Sequence, residues 1–281
     1  AHLERIGVVN PVVNAIVTPN PRALDEAREA EAALMRGEVR GPLHGVPVTI
    51  KDCFDVAGLR TTRGSALFRD HVSRTDATAV TRLRDAGAVI LGKTNMPEFA
   101  LWWESDNRVF GRTRNPWNLD RIAGGSTGGE AAALASGLTA LGLGSDVGGS
   151  IRQPAHCCGV VGLKPTHGRV PLTGHWPETL LRNMHVGPLA RSVRDLALGL
   201  RVLAGPDGRD PYALAVPLPR LPDAPVELSA LRVGVSWDGG AAPVDPHVRA
   251  AVARAADRLA ALGCRVEPAR IPALDDLDWH A

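Results

Sequence analysis

The chain has 281 residues, 44% of them hydrophobic, and a formal net charge of +2. That is enough apolar material for a large core in one or two domains, with no basic run of the kind that selects nucleic acid or an anionic membrane surface. No apolar stretch reaches bilayer-spanning length and no secretory leader is read, so the expectation is a cytoplasmic chain without a nucleic-acid or membrane partner.

In chain order, residues 20 to 37 read as a helix, with Asn20 as cap, Pro21 in the first turn and Gly37 after the end. Val46 to Lys51 reads as a short β-branched strand ending on Lys51. Asp76 to Asp85 reads as a helix stopped by Gly87, and Ala88 to Leu91 as the next buried strand. Glu130 to Ser136 reads as a helix ended by Gly137, followed by strand-like text from Leu138 to Gly144. Residues 193 to 203 and 246 to 262 have amphipathic helical spacing, and Leu231 to Val235 reads as a strand. The proline-rich text from Pro206 to Pro225 reads as a surface connector. Strands alternating with helices predict an α/β layered fold.

Residue usage narrows the chemistry. Cys53, Cys157, Cys158 and Cys264 form no CxxC pair, which argues for reduced thiols over a disulfide framework or zinc ribbon. Only three of the 32 basic residues are lysines: Lys51, Lys93 and Lys164. Arginine keeps its proton in a protein whereas a buried lysine can lose it, so these lysines are candidates for work arginine cannot do. Residues 87 to 94, GAVILGKT, match a phosphate-loop pattern. The four middle residues are strand-forming and Pro97 follows closely, so the strand-loop-helix context that gives the motif meaning is missing. The histidines lack the HExxH spacing and read as structural, His156 included. Trp102 and Trp103 read chiefly as core-filling aromatics, with pocket lining as the alternative.

Two glycine-flanked serines carry the strongest chemical signal. Ser126 lies in GGSTGG and Ser150 in GSDVGGSIR. Flanking glycines permit unusual backbone angles and close substrate approach. Successive amides in such a turn can converge on one point, as an oxyanion hole requires. Val147, Gly148, Gly149 and Ser150 are the natural donors. A serine hydroxyl needs a base, and no histidine–aspartate pair or nucleophile-elbow pattern supplies one. Lys51 follows an apolar run, and burial would favour its neutral form. Ordinary turns and an ordinary strand-end charge are the plain alternative, which the joint occurrence disfavours.

The motifs GPLHGVPVTIKD, GKTNMPEF, GRTRNPWN, GGSTGGEAAALASG, GSDVGGSIRQPA and GVVGLKPTHGRVP occur in that order between about Gly41 and Pro206. Together they resemble the amidase signature family, which includes fatty-acid amide hydrolases, bacterial amidases and the amidase subunit of the glutamyl-tRNA amidotransferase. The resemblance implies one α/β amidase domain over 1–281, with a mixed central β-sheet flanked by helices. Its signature core covers about 41–206, and 226–281 continues the same domain. Family members extend further at both ends, so the fold is expected to be incomplete there.

By the same resemblance the catalytic lysine falls on Lys51, the bridging serine that follows a cis peptide on Ser126, and the nucleophile on Ser150. They are 75 and 24 residues apart. Met96 matches a position whose backbone approaches substrate, and Thr127 joins it as a substrate-binding candidate. Thr127, Ser145, Ala123 and the Cys157–Cys158 pair depart from the commoner pattern, but Thr127 and Ser145 keep their hydroxyls. Asp146 is expected to order its loop through backbone hydrogen bonds. The implied function is hydrolysis of a small linear amide through an acyl-enzyme, with no metal and no organic cofactor. A homodimer is left open. A glutamine-hydrolysing subunit that passes ammonia to a partner protein is the alternative, and a truncated non-catalytic fragment is a third reading.

Overall fold

The apolar runs after Gly45, Gly87 and Gly137 become central strands in the computed structural model, which describes residues 1–178, 182–218, 226–237 and 243–269. The chain divides into two compact units, Ala1–Pro219 and Arg220–Ala281. The first begins with α1 (His2–Val13), β1 (Ile16–Pro19), α2 (Ala23–Met35), β2 (Pro47–Lys51), α3 (Thr78–Asp85) and β3 (Val89–Thr94). A hairpin of β4 (Arg114–Asn115) and β5 (Asn118–Ile122) precedes α4 (Gly128–Ala135) and β6 (Leu141–Asp146). Then come α5 (Arg152–Cys158), β7 (Val161–Gly162), β8 (His185–Ala190) and α6 (Val193–Leu203). The second unit is β9 (Arg232–Val235), α7 (Pro246–Ala261) and β10 (Arg265–Pro268), with β9 and β10 parallel.

The main sheet has the order β1-β3-β2-β6-β8-β7. Parallel pairs join β2 to β3 and to β6, whereas β1, β8 and β7 pair antiparallel with their neighbours. This is the mixed sheet flanked by helices that the sequence implies. Pleating sends alternate residues of β2 to opposite faces. Val48 and Ile50 are fully buried in one apolar cluster with Val80 and Leu83 of α3 and Leu196 and Leu203 of α6. Each such aliphatic side chain removed from water contributes about 1.5–3 kcal/mol. Thr49 and Lys51 face the other way, where they reach Glu130 in α4 and Ser126 just before it. A second cluster holds Ala131 to Leu134 of α4 with Ile151, Ala155 and Leu189 on that opposite face. The polar catalytic candidates therefore sit between the sheet and α4, not on an open edge.

Close approach of α4 explains two glycines. A Cβ on Gly129 would run into the Asn95 backbone, and one on Gly142 into the Glu130 carboxylate. Several expected boundaries move. The strand expected over 138–144 is displaced to 141–146 because Leu138 belongs to the end of α4: Gly137 takes a positive φ of 69° and Leu138 N–H donates to the Ala133 carbonyl at 2.8 Å. β3 continues past Leu91 through Gly92, Lys93 and Thr94. Lys93 is buried, donating to Asp52 at 3.1 Å and Thr61 at 2.9 Å, so the phosphate-loop text is one strand with an internal ion pair. The helices at 193–203 and 246–261 stand as expected, capped by Ser192 and Asp245. Residues 219–225 of the proline-rich stretch, and the chain from 270 onward, lie outside the described residues.

All four cysteines are free thiols. Among the described residues no helix is long and apolar enough to cross a membrane.

Candidate active site

β2 ends on Lys51, and the loop before α4 carries Ser126 after a cis Gly125–Ser126 peptide bond. Lys51 Nζ donates to Ser126 Oγ at 2.7 Å, to Ser145 Oγ at 3.1 Å and to the Ser145 carbonyl at 3.4 Å. The lysine is completely buried. Burial pushes its pKa below the ordinary lysine value, against the opposing pull of Cys53, Asp146 and Glu130. Glu130 is itself buried, and burial raises its carboxyl to about 8 despite hydrogen bonds from Thr49 and Thr94. A neutral amine has two N–H bonds and one lone pair. The two oxygens of Ser145 can accept both N–H groups, which leaves the lone pair for the Ser126 hydroxyl. The arrangement can therefore hold an amine poised to take a proton from Ser126.

The loop after β6 is built around Asp146. Its Oδ1 accepts from Gly149 N–H at 2.9 Å, and its Oδ2 from Ile151 and Arg152 N–H at 2.9 and 3.2 Å. The Arg152 guanidinium adds a bidentate pair at 3.0 and 2.8 Å. Burial alone would raise the Asp146 pKa, but Arg152 and the three amides outweigh it and hold the carboxyl at about 2. Asp146 thus orders the loop as its sequence position suggests. This anchoring places Ser150 two residues before the start of α5. It also engages the Gly149 amide, whereas those of Val147, Gly148 and Ser150 have no hydrogen-bond acceptor among the described residues.

Ser126, Ser145 and Ser150 open onto one cavity of about 230 Å³ together with Val147 and Gly148. The structure brings Lys51, Ser126 and the Ser150 loop together. Ser150 Oγ makes no hydrogen bond to Ser126 among the described residues, so the second link of the proton path is open here. Catalytic hydrogen bonds in unliganded sites are often long and close only on substrate. His175 offers no alternative base: burial lowers it to about 3, and its ring packs edge-on against Phe54 at 4.9 Å.

Met96 and Thr127 stand apart from the cavity. The Met96 side chain enters the core and its carbonyl accepts from Asn107 Nδ2 at 2.8 Å. Thr127 is buried and ties two loops, its N–H donating to the Ser150 carbonyl at 3.1 Å and its hydroxyl to the Ser145 carbonyl at 3.2 Å. Neither residue lines the cavity.

Trp102 and Trp103 lie elsewhere than the core-filling role expected of them. They are 68% and 60% exposed and form a wall of the cavity, not part of the core. The chain turns at Phe99 and Ala100, two non-glycine residues with φ of 57° and 59°, and this turn carries Leu101 to Trp103 to the cavity. No sequence pattern marks that turn. Ser145 shows in the sequence only as a departure from a motif. Its place on a strand whose glycines admit α4 is the available signal for its contact with Lys51.

A family model described as Amidase matches residues 1–278. The chain is 45% identical over 274 residues to a glutamyl-tRNA(Gln) amidotransferase subunit of Moorella thermoacetica, covering 97% of this chain and 56% of that protein. It is 40% identical over 288 residues to an indoleacetamide hydrolase of Bradyrhizobium diazoefficiens, covering 100% of this chain and 54% of that protein. The solved peptide amidase of Stenotrophomonas maltophilia superposes with a TM-score of 0.88 at 35% identity, over 96% of this chain and 57% of that one. The chain therefore spans a little over half the length of these relatives. The match to the family model runs through every element described above, and the chain belongs to the Amidase family.

Proposed function

We propose that the chain hydrolyses a linear amide through a Ser150 acyl-enzyme. The observation that carries the reading is the fully buried Lys51 amine 2.7 Å from Ser126 Oγ, beside a cavity that Ser126 and Ser150 both line. In this mechanism neutral Lys51 takes the proton of Ser126 as Ser126 takes that of Ser150, and Ser150 Oγ attacks the amide carbonyl. The oxyanion is received by amides of residues 147 to 150, among which Val147, Gly148 and Ser150 are unengaged within the described residues. Each such donor contributes about 3–4 kcal/mol in comparable sites. The protons then return to the leaving amine, and water releases the acid from Ser150. Met96 and Thr127 act in this reading by supporting the loops that carry the reacting groups.

The likeness to amidotransferase subunits favours a second reading, glutamine hydrolysis with ammonia passed to a partner protein. Purification from the native host separates the two: a hydrolase turns over amides alone, and an amidotransferase component copurifies with its partners. A non-catalytic fragment would do neither. For the hydrolase reading, amide turnover by the purified chain is expected to vanish in Ser150→Ala. Undiminished turnover in that variant would end the nucleophile assignment.

A further inference from the structure

We propose that Gln153 is a positioning residue for the proton path: its side-chain oxygen holds the backbone beside Ser126 and so sets the Ser126 hydroxyl against Ser150. The inference rests on the hydrolase reading above and adds a residue to it. The Lys51–Ser126 link reaches from a strand, but the Ser126–Ser150 link joins two loops, and the register of those loops sets its length. Three hydrogen bonds fix that register. Gly125 N–H donates to Gln153 Oε1 at 2.9 Å. Thr127 N–H donates to the Ser150 carbonyl at 3.1 Å, and Gln153 N–H to the Gly149 carbonyl at 2.7 Å. Both chain neighbours of Ser126 are therefore tied to the segment that carries Ser150, and one of the ties is a side chain.

The surroundings of Gly125 give this tie its weight. Gly125 is buried, and a Cβ there would lie 2.8 Å from backbone atoms of Trp102, Trp103 and Glu104. A buried backbone N–H outside a helix or strand needs an acceptor, and the Gln153 oxygen supplies it. The contact is also close on the α5 side, where a Cβ on Gly124 would lie 2.6 Å from Gln153 Oε1 and 2.6 Å from Pro154 Cα. The other end of the amide is engaged too. Gln153 Nε2 donates to Cys157 Sγ at 3.5 Å, one turn further along α5, which turns the oxygen toward Gly125. Gln153 is uncharged, and Lys51 keeps its contacts to Ser145 without it. Loss of the Gln153 oxygen should therefore spoil the aim of Ser126 without moving the titration of Lys51.

The test compares the full chain with Gln153→Met, which keeps the side-chain length but removes the acceptor, and Gln153→Glu, which keeps an acceptor oxygen. Turnover of butyramide is measured across pH, with kcat referred to the sites titrated by a fluorophosphonate, so that a loss of folded protein does not enter. Gln153→Met should lower kcat per site by ~10-fold with KM within ~2-fold of the parent and the pH–rate limb in place. Gln153→Glu should recover most of that kcat at the plateau of its profile. Parent-like kcat per site in Gln153→Met, or a Gln153→Glu as slow as Gln153→Met, overturns the proposal. Amide hydrogen exchange on the parent chain needs no variant to fold: Gly125 N–H should be protected, and exchange as fast as in an open loop also overturns it. Full turnover in Gln153→Met with none in Ser150→Ala defeats this role and leaves the hydrolase reading standing. A parent chain that neither turns over amides nor labels at Ser150 defeats that reading, and the role with it.

Discussion

Lys51 acts as a base only when it has lost its proton, and its burial makes that loss easier than for a lysine in water. Activity should therefore rise with pH as Lys51 deprotonates, along a limb that lies below the ordinary lysine range. Ser145 tunes this limb. Its hydroxyl accepts from the amine at 3.1 Å and so helps the charged form. In Ser145→Ala the pH–rate limb should move to lower pH while kcat falls, because the amine titrates earlier but is less well aimed. A limb that stays in place would remove Ser145 from the account. Lys51→Arg keeps the positive charge but cannot supply a lone pair. It should lower kcat by ~10²–10⁴, the usual range for a missing general base.

At the scale of elements, two junctions position these residues. The first is the Asp146 loop between β6 and α5. The carboxyl is held at about 2 instead of 3.8. A group with a depressed folded pKa stabilises the fold above its unfolded pKa and loses that contribution as pH falls through the folded one. About 2 kcal/mol should thus be present at neutral pH and disappear between about pH 4 and pH 2. Urea unfolding of Asp146→Asn at neutral pH and near pH 2 checks this: the variant should be less stable at neutral pH and close to the parent near pH 2. The second junction is α4 against the sheet. Gly129→Ala gains ~1 kcal/mol of helix propensity. The new methyl meets the Asn95 backbone, which cannot move aside as a side-chain tip can, and overpacking costs ~1–3 kcal/mol. The balance predicts a lower Tm, and an unchanged or higher Tm would mean that α4 can shift away from the sheet.

Across the whole molecule, what is legible in the sequence follows the strength of local signals. β2, α6 and α7 have clear periodicity and caps, and the glycine-flanked serines stand out against any background. β8 is hidden in the sequence because Gly187 and Pro188 interrupt its apolar text; the structure accommodates Pro188, whose carbonyl accepts from Leu163 N–H at 3.1 Å. α5 is only seven residues with Pro154 inside, and α1 contains Gly7 and Pro11, so neither has a persuasive helical pattern. The tryptophan wall departs from expectation for a different reason. Composition places aromatics in cores on average, but only the fold shows that the turn at Phe99 and Ala100 directs Trp102 and Trp103 to the cavity. The chemistry of Lys51, Ser126 and Ser150 is readable as residue types. The role of Ser145 in holding the amine is not, because it depends on three-dimensional proximity alone.

The most direct test of the central claim is covalent labelling of the purified chain by a fluorophosphonate, with the modified residue located by peptide mass spectrometry. The account predicts a single modified serine, Ser150, labelled far more slowly in Lys51→Ala and not at all in Ser150→Ala. Modification of a different residue, or labelling that persists in Ser150→Ala, would contradict it.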